Sequence, residues 1–70
     1  MAKRIDIQVN GEATSAPAGE SLADLIRRLE FAPEGVAVAL NLEVLPRAEL
    51  EITRLRPGDR VEIVRAVGGG

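Results

Sequence analysis

Between residues 3 and 9, KRIDIQV, apolar and polar positions alternate, with Ile5, Ile7 and Val9 on one side and Arg4, Asp6 and Gln8 on the other. That period of two predicts a half-buried strand. Asn10-Gly11 follows, the strongest short hairpin signal, because a type I′ turn needs positive φ at both central residues. It predicts an antiparallel return strand over residues 12 to 16, broken by Pro17 and Gly19.

At Ser21 the period changes. Leu22, Leu25, Ile26 and Leu29 recur at i, i+3, i+4 and i+7, the apolar face of a short amphipathic helix over residues 21 to 30. The Ser21 hydroxyl is placed to accept from the backbone N–H of Asp24, a capping-box-like start with Asp where Glu is usual. Asp24 and Arg28 form an i, i+4 pair in the favourable order. Pro33 and Gly35 are expected to end the helix.

Residues 36 to 41, VAVALN, read as a strand with Val36, Val38 and Leu40 on one face and Ala37 and Ala39 on the other. A brief strand over 43 to 45 precedes Pro46, and the mixed stretch 47 to 55 holds a short helical turn. Pro57-Gly58-Asp59 is a turn, with Pro pre-setting φ and Gly supplying the left-handed residue. Residues 60 to 67 form the last strand. One helix must cover one face of one mixed sheet, since no second helix is predicted to cover the other. The expected fold is α+β, the β-grasp arrangement of ubiquitin-like domains, with four to five strands and one main helix. The domain should occupy residues 1–67, with a glycine tail over 68–70.

Composition narrows the chemistry. The 70 residues contain neither cysteine nor histidine. Disulfide frameworks, thiolate nucleophiles, Cys/His zinc sites and Ser-His-Asp or Cys-His catalysis are therefore excluded. At 46% hydrophobic residues, an ordinary core can hold the fold. The net charge of −2, with acids and bases interleaved, lacks the basic stripe that a nucleic-acid binder needs. Phe31, the only aromatic, gives no base-stacking platform. The first ten residues, MAKRIDIQVN, contain no apolar h-region, and no apolar run approaches the length of a membrane span. These features predict a soluble protein of a reducing cytoplasm, without membrane or nucleic-acid partners.

Two features remain for function. On the last strand, Val61 and Ile63 should lie under the helix, while Val64 and Ala66 face the other way. If that strand neighbours the one over 36–41, then Ala37, Ala39, Val64, Ala66 and Val67 form a shallow apolar docking patch beside the tail. The tail is Gly68, Gly69 and Gly70. Glycine can thread a narrow channel, and a terminal carboxylate, with a pKa of about 3.5, is ionised at neutral pH. Such an anion can attack the α-phosphate of ATP to form an acyl-adenylate. Arg54, Arg56, Arg60 and Arg65 read as a solvated, charge-balanced face, and Glu49 and Glu51 as surface residues rather than an acid–base pair.

The stretches QVNGE (8–12), VAVALNLEVLPR (36–47) and RPGDRVEIVRAVGGG (56–70) resemble the ThiS family, the ubiquitin-like sulfur carriers of thiamin biosynthesis. The resemblance covers essentially the whole chain. It implies a β-grasp carrier with no catalytic activity and no bound cofactor. The carboxylate on Gly70 would be adenylated with ATP by an E1-like, ThiF-like enzyme. A persulfide sulfur donor would then convert the adenylate to a thiocarboxylate, and a ThiG-like thiazole synthase would receive the sulfur. By position, Gly69 and Gly70 match the family diglycine, with Gly68 a spacer. Relatives often carry glycine after the asparagine of the N-x-E-V turn, where this chain has Leu42. Leu is poor at positive φ, so this turn is expected to take another form. Many relatives also carry an aromatic residue near Leu50.

Other readings stay open at this point. They are the small sulfur-carrier subunit of molybdopterin synthase, ubiquitin-like conjugation, and an interaction module with an idle tail. From a different class, R-P-G-D-R-V-E-I also occurs in swapped-hairpin DNA-binding modules, against which the acidic charge and the helix weigh.

Overall fold

The computed structural model describes residues 3–65. The boundary expected at residues 67 and 68 lies outside this range. The strands are β1 (Arg4–Val9), β2 (Glu12–Pro17), β3 (Val36–Leu40), β4 (Glu43–Leu45) and β5 (Arg60–Arg65), and the helix is α1 (Leu22–Arg28). They form a five-stranded sheet in the order β2-β1-β5-β3-β4. β1 and β5 run parallel at its centre, and the other pairings are antiparallel. This is the mixed sheet with one covering helix expected of a β-grasp domain. Among the described residues, no helix is long and apolar enough to cross a membrane.

Alternation sorts the sheet as predicted. Ile7, Val38, Val61 and Ile63 are buried against Leu22, Leu25 and Ile26 of α1, while Asp6, Gln8, Ala37, Glu62 and Val64 point away. Burying each of the larger side chains contributes on the order of 1.5–3 kcal/mol before the entropy of ordering is counted. Leu50 and Leu55 close the core from the 47–55 segment, which carries the expected turn as a 3-10 helix over Arg47–Glu49. Leu50 is only 2% exposed, so this aliphatic residue fills its site as core.

The 47–55 segment also completes the start of α1. Ser21 Oγ accepts from Asp24 N–H at 3.1 Å. The N–H groups of Leu22 and Ala23 donate to the carbonyls of Thr53 (3.0 Å) and Leu50 (2.9 Å), and Leu25 N–H donates to Ser21 O. The Leu25 bond is the first of the helical ladder, and the three preceding N–H groups, those of Leu22, Ala23 and Asp24, thereby find partners outside it.

Three expectations need correction. The helix does not run to residue 30 or wait for Pro33 and Gly35. It ends at Arg28 with Leu29 as C-cap, and Glu30 adopts φ 69°. Phe31 N–H donates to Ile26 O and Glu30 N–H to Arg27 O, the paired bonds of a Schellman motif built on Glu instead of Gly. Pro33–Gly35 form a separate 3-10 turn. The Asp24–Arg28 pair is also replaced. Arg28 donates two bonds to the Glu20 carboxylate, at 2.9 and 3.1 Å, and Asp24 pairs with Arg27, which also reaches Glu51. The Glu20 side chain is only 10% exposed, so its forked bond to Arg28 is better shielded than a pair with surface Asp24. Finally, Leu42 does not divert its turn. Asn41 and Leu42 both take positive φ, 51° and 73°, as do Asn10 and Gly11, 51° and 84°. The β3–β4 hairpin therefore keeps a type I′ geometry with Leu in a position that favours Gly.

Candidate functional site

β5 connects the centre of the sheet to the glycine tail. Val64 lies opposite Ala37, and Glu62 opposite Ala39. On the far side of β3, Ala39 lies opposite Val44. On the face away from the helix, Ala37, Ala39, Val44 and Val64 therefore share one shallow depression of about 460 Å³, flanked by Asn10 and Glu62. Val44 and Val64 are 73% and 62% exposed, an unusual state for large aliphatic residues without a covering layer.

The structure thus brings together three of the five predicted patch residues, Ala37, Ala39 and Val64. Ala66 and Val67 lie outside the described residues, as do Gly68, Gly69 and Gly70. The sequence reading missed Val44. A signal was present, because Leu45 pairs with Val38 on the helix side, and alternation then sends Val44 outward.

Two asparagines tie hairpin turns to β5. Asn10 Oδ1 accepts from Ile63 N–H at 2.8 Å, and its Nδ2 donates to Ile63 O at 3.2 Å. Asn41 Oδ1 accepts from Arg60 N–H at 2.9 Å, and its Nδ2 donates to Asp59 Oδ1 at 3.1 Å. Asp59 in turn accepts from Arg56 N–H at 2.8 Å, closing the turn around Pro57 and Gly58, where Gly58 has φ 83°. Sequence reading assigned Asn10 to its turn but did not foresee the contact with Ile63.

The charged residues offer no catalytic cluster among those described. Glu51 is engaged by Arg27 and Glu49 is exposed. The Arg27 guanidinium is held above its ordinary value chiefly by the hydrogen bond to Glu51. Arg28 is likewise raised by its bond to Glu20. Among the described residues, no group of three or more acidic, His or Cys side chains could hold a metal ion. Arg65, the last described residue, lies over the Phe31 ring with its guanidinium carbon 5.3 Å from the ring centroid.

The family model of the ThiS family matches residues 3–70. Among curated proteins, a thiazole synthase of Magnetococcus marinus is 42% identical over 91% of this chain, which spans 20% of that protein's length. An uncharacterized protein ycf40 of Porphyra purpurea is 38% identical, with 97% of this chain and 96% of that one covered. The sulfur carrier protein ThiS of Escherichia coli is 26% identical, covering 94% of this chain and all of that one. Among solved structures, the thiamine biosynthesis protein ThiS of Geobacter metallireducens superposes with a TM-score of 0.81 at 33% identity, over 94% of this chain and 100% of that one.

Proposed function

Because the chain belongs to the ThiS family, we propose that it is a sulfur carrier for thiamin biosynthesis, acting as a covalent cosubstrate rather than as a catalyst. The carboxylate of Gly70 attacks the α-phosphate of ATP in the active site of an E1-like, ThiF-like enzyme, and pyrophosphate leaves. A persulfide-bearing donor attacks the resulting acyl-adenylate and AMP departs. Cleavage of the S–S bond by a reducing thiol then leaves the thiocarboxylate. A ThiG-like thiazole synthase receives the sulfur. The carrying observation is the family match that runs through the three glycines to residue 70. Two thiazole synthases that contain a segment similar to this chain favour thiazole formation as the destination.

The rest of the molecule suits that role. A carrier must present one reactive end while its body is recognised, and here Val64 on β5, with Ala37 and Ala39 on β3 and Val44 on β4, forms an apolar surface on and beside the strand that leads to that end. Ala66 and Val67 extend the same patch in this reading, and Gly68 to Gly70 enter the partner's active site. The test is an intact mass before and after incubation with ATP, a ThiF-like enzyme and a sulfur source. A gain equal to replacing one oxygen by sulfur, absent from a chain lacking Gly70 that melts like the full chain, is the expected result. No gain with an enzyme proven active on another carrier would overturn the reading.

A further inference from the structure

The outer edges of the sheet are short or closed by proline. β2 ends on Pro17, and three-residue β4 runs into Pro46. Such features discourage pairing with another chain. An inner edge lacks them. β1 pairs with β5 only at Gln8–Arg60 and Val9–Val61, then turns away. Asn10 N–H donates to Val61 O at 2.9 Å. The Asn10 side chain takes the next rung, bonding both the N–H and the C=O of Ile63. Backbone groups of every second residue face the same side of a strand, so the rung after Ile63 is Arg65. Beyond Ile63, no strand neighbours β5 on that side among the described residues, while β3 holds the other side with Val36 opposite Arg65.

We infer that the adenylating enzyme lays an extended segment of its own backbone beside β5, in the place β1 vacates at Asn10, with Arg65 as the first rung. This rests on the carrier reading above. Three consecutive glycines offer a receiving enzyme no side chains, so it must hold them by backbone N–H and C=O groups. Adding a strand to an open sheet edge is the recognition mode that uses those groups. Asn10 sets where pairing starts, because its amide already occupies Ile63 and stops an incoming strand from sliding inward. The Arg65 side chain lies over Phe31 and leaves the edge clear. Pairing at Arg65 would fix the direction in which the chain leaves the domain, along the axis of β5.

The test uses synthetic full-length carriers that differ only by N-methylation of the Arg65 backbone amide, assayed for ATP–pyrophosphate exchange with the adenylating enzyme. Loss of one backbone hydrogen bond predicts a fall in kcat/KM of about fivefold or more. The melting curve should stay unchanged, because this N–H points away from β3. In the complex of the unmodified chain, amide exchange at Arg65 should slow, while Ile63 keeps the protection it already has. Full activity of the methylated chain, or unchanged exchange at Arg65 in the complex, would overturn the pairing. If the unmodified chain is not adenylated either, the carrier reading fails and the pairing fails with it. The unmodified control thus separates the two.

Discussion

Replacing Asn10 by glycine removes the clamp on β5 without disturbing the turn that carries it. Asn10 sits at φ 51°, a region that glycine occupies without steric cost, so Asn10→Gly isolates the side-chain contacts. Two hydrogen bonds are lost, to Ile63 N–H at 2.8 Å and to Ile63 O at 3.2 Å, both partly buried. At about 1 kcal/mol net for each, the loss is about 2 kcal/mol. In a domain of this size, 1 kcal/mol moves Tm by about 4–8 °C, so the expected drop is roughly 8–16 °C. There is no tryptophan or tyrosine to report by fluorescence, so far-UV circular dichroism is the assay, by heating and in urea. The urea midpoint should fall with an unchanged slope, which would show lost stability rather than a looser native state. Asn10→Ala adds the left-handed backbone penalty of about 1–2 kcal/mol and should melt lower still. A Tm within about 4 °C of the parent for Asn10→Gly, or equal values for the Gly and Ala variants, would refute the assignment of stability to this clamp.

Two further outcomes follow from single positions. Leu42 is 74% exposed at φ 73°, so Leu42→Gly relieves backbone strain while losing almost no burial. It should stabilise the domain by about 0.5–1 kcal/mol, visible as a higher Tm. A lower Tm would mean that Leu42 packs in a way its exposure does not reveal. Val64→Gln exchanges an exposed aliphatic residue for a neutral polar one beside Ala37. Stability should stay within about 0.5 kcal/mol, while KM for adenylation or for sulfur delivery rises. Unchanged kinetics with both partners would remove Val64 from the docking surface.

Beyond the fold class and the meeting of Ala37, Ala39 and Val64 across β3 and β5, what the sequence disclosed was local. The alternation over 4–9, the Asn10-Gly11 turn, the Ser21 cap and the Pro57-Gly58 turn each depend on residues a few positions apart, and each appears as expected. What it hid depends on register or on a rule broken locally. Ile63 lies 53 residues from Asn10, so nothing short of the β1–β5 pairing reveals their contact. Glu30 ends the helix at positive φ without the glycine that marks such sites. Leu42 was judged by its own preference, yet the register of β3 on β4, fixed by Val38 and Leu45 on the buried face, overrides that preference. The charge partners were misjudged because Glu20 lies outside the helix window in which i, i+4 pairs are sought.

The placement of β5 bears on how a carrier can be gripped by its end. A tail leaving an edge strand would transmit any pull to one ladder, and the strand could peel. Here β5 lies between β1 and β3, and its buried residues Val61 and Ile63 sit under the helix. Asn41 holds its start at Arg60 from the β3 side, and Asn10 holds Ile63 from the β1 side. Removing β5 would therefore break both ladders and empty the middle of the core, which amounts to unfolding the domain. In the proposed carrier role, a pull on the chain beyond Ile63 would meet both ladders and the two asparagine contacts before it could open the core.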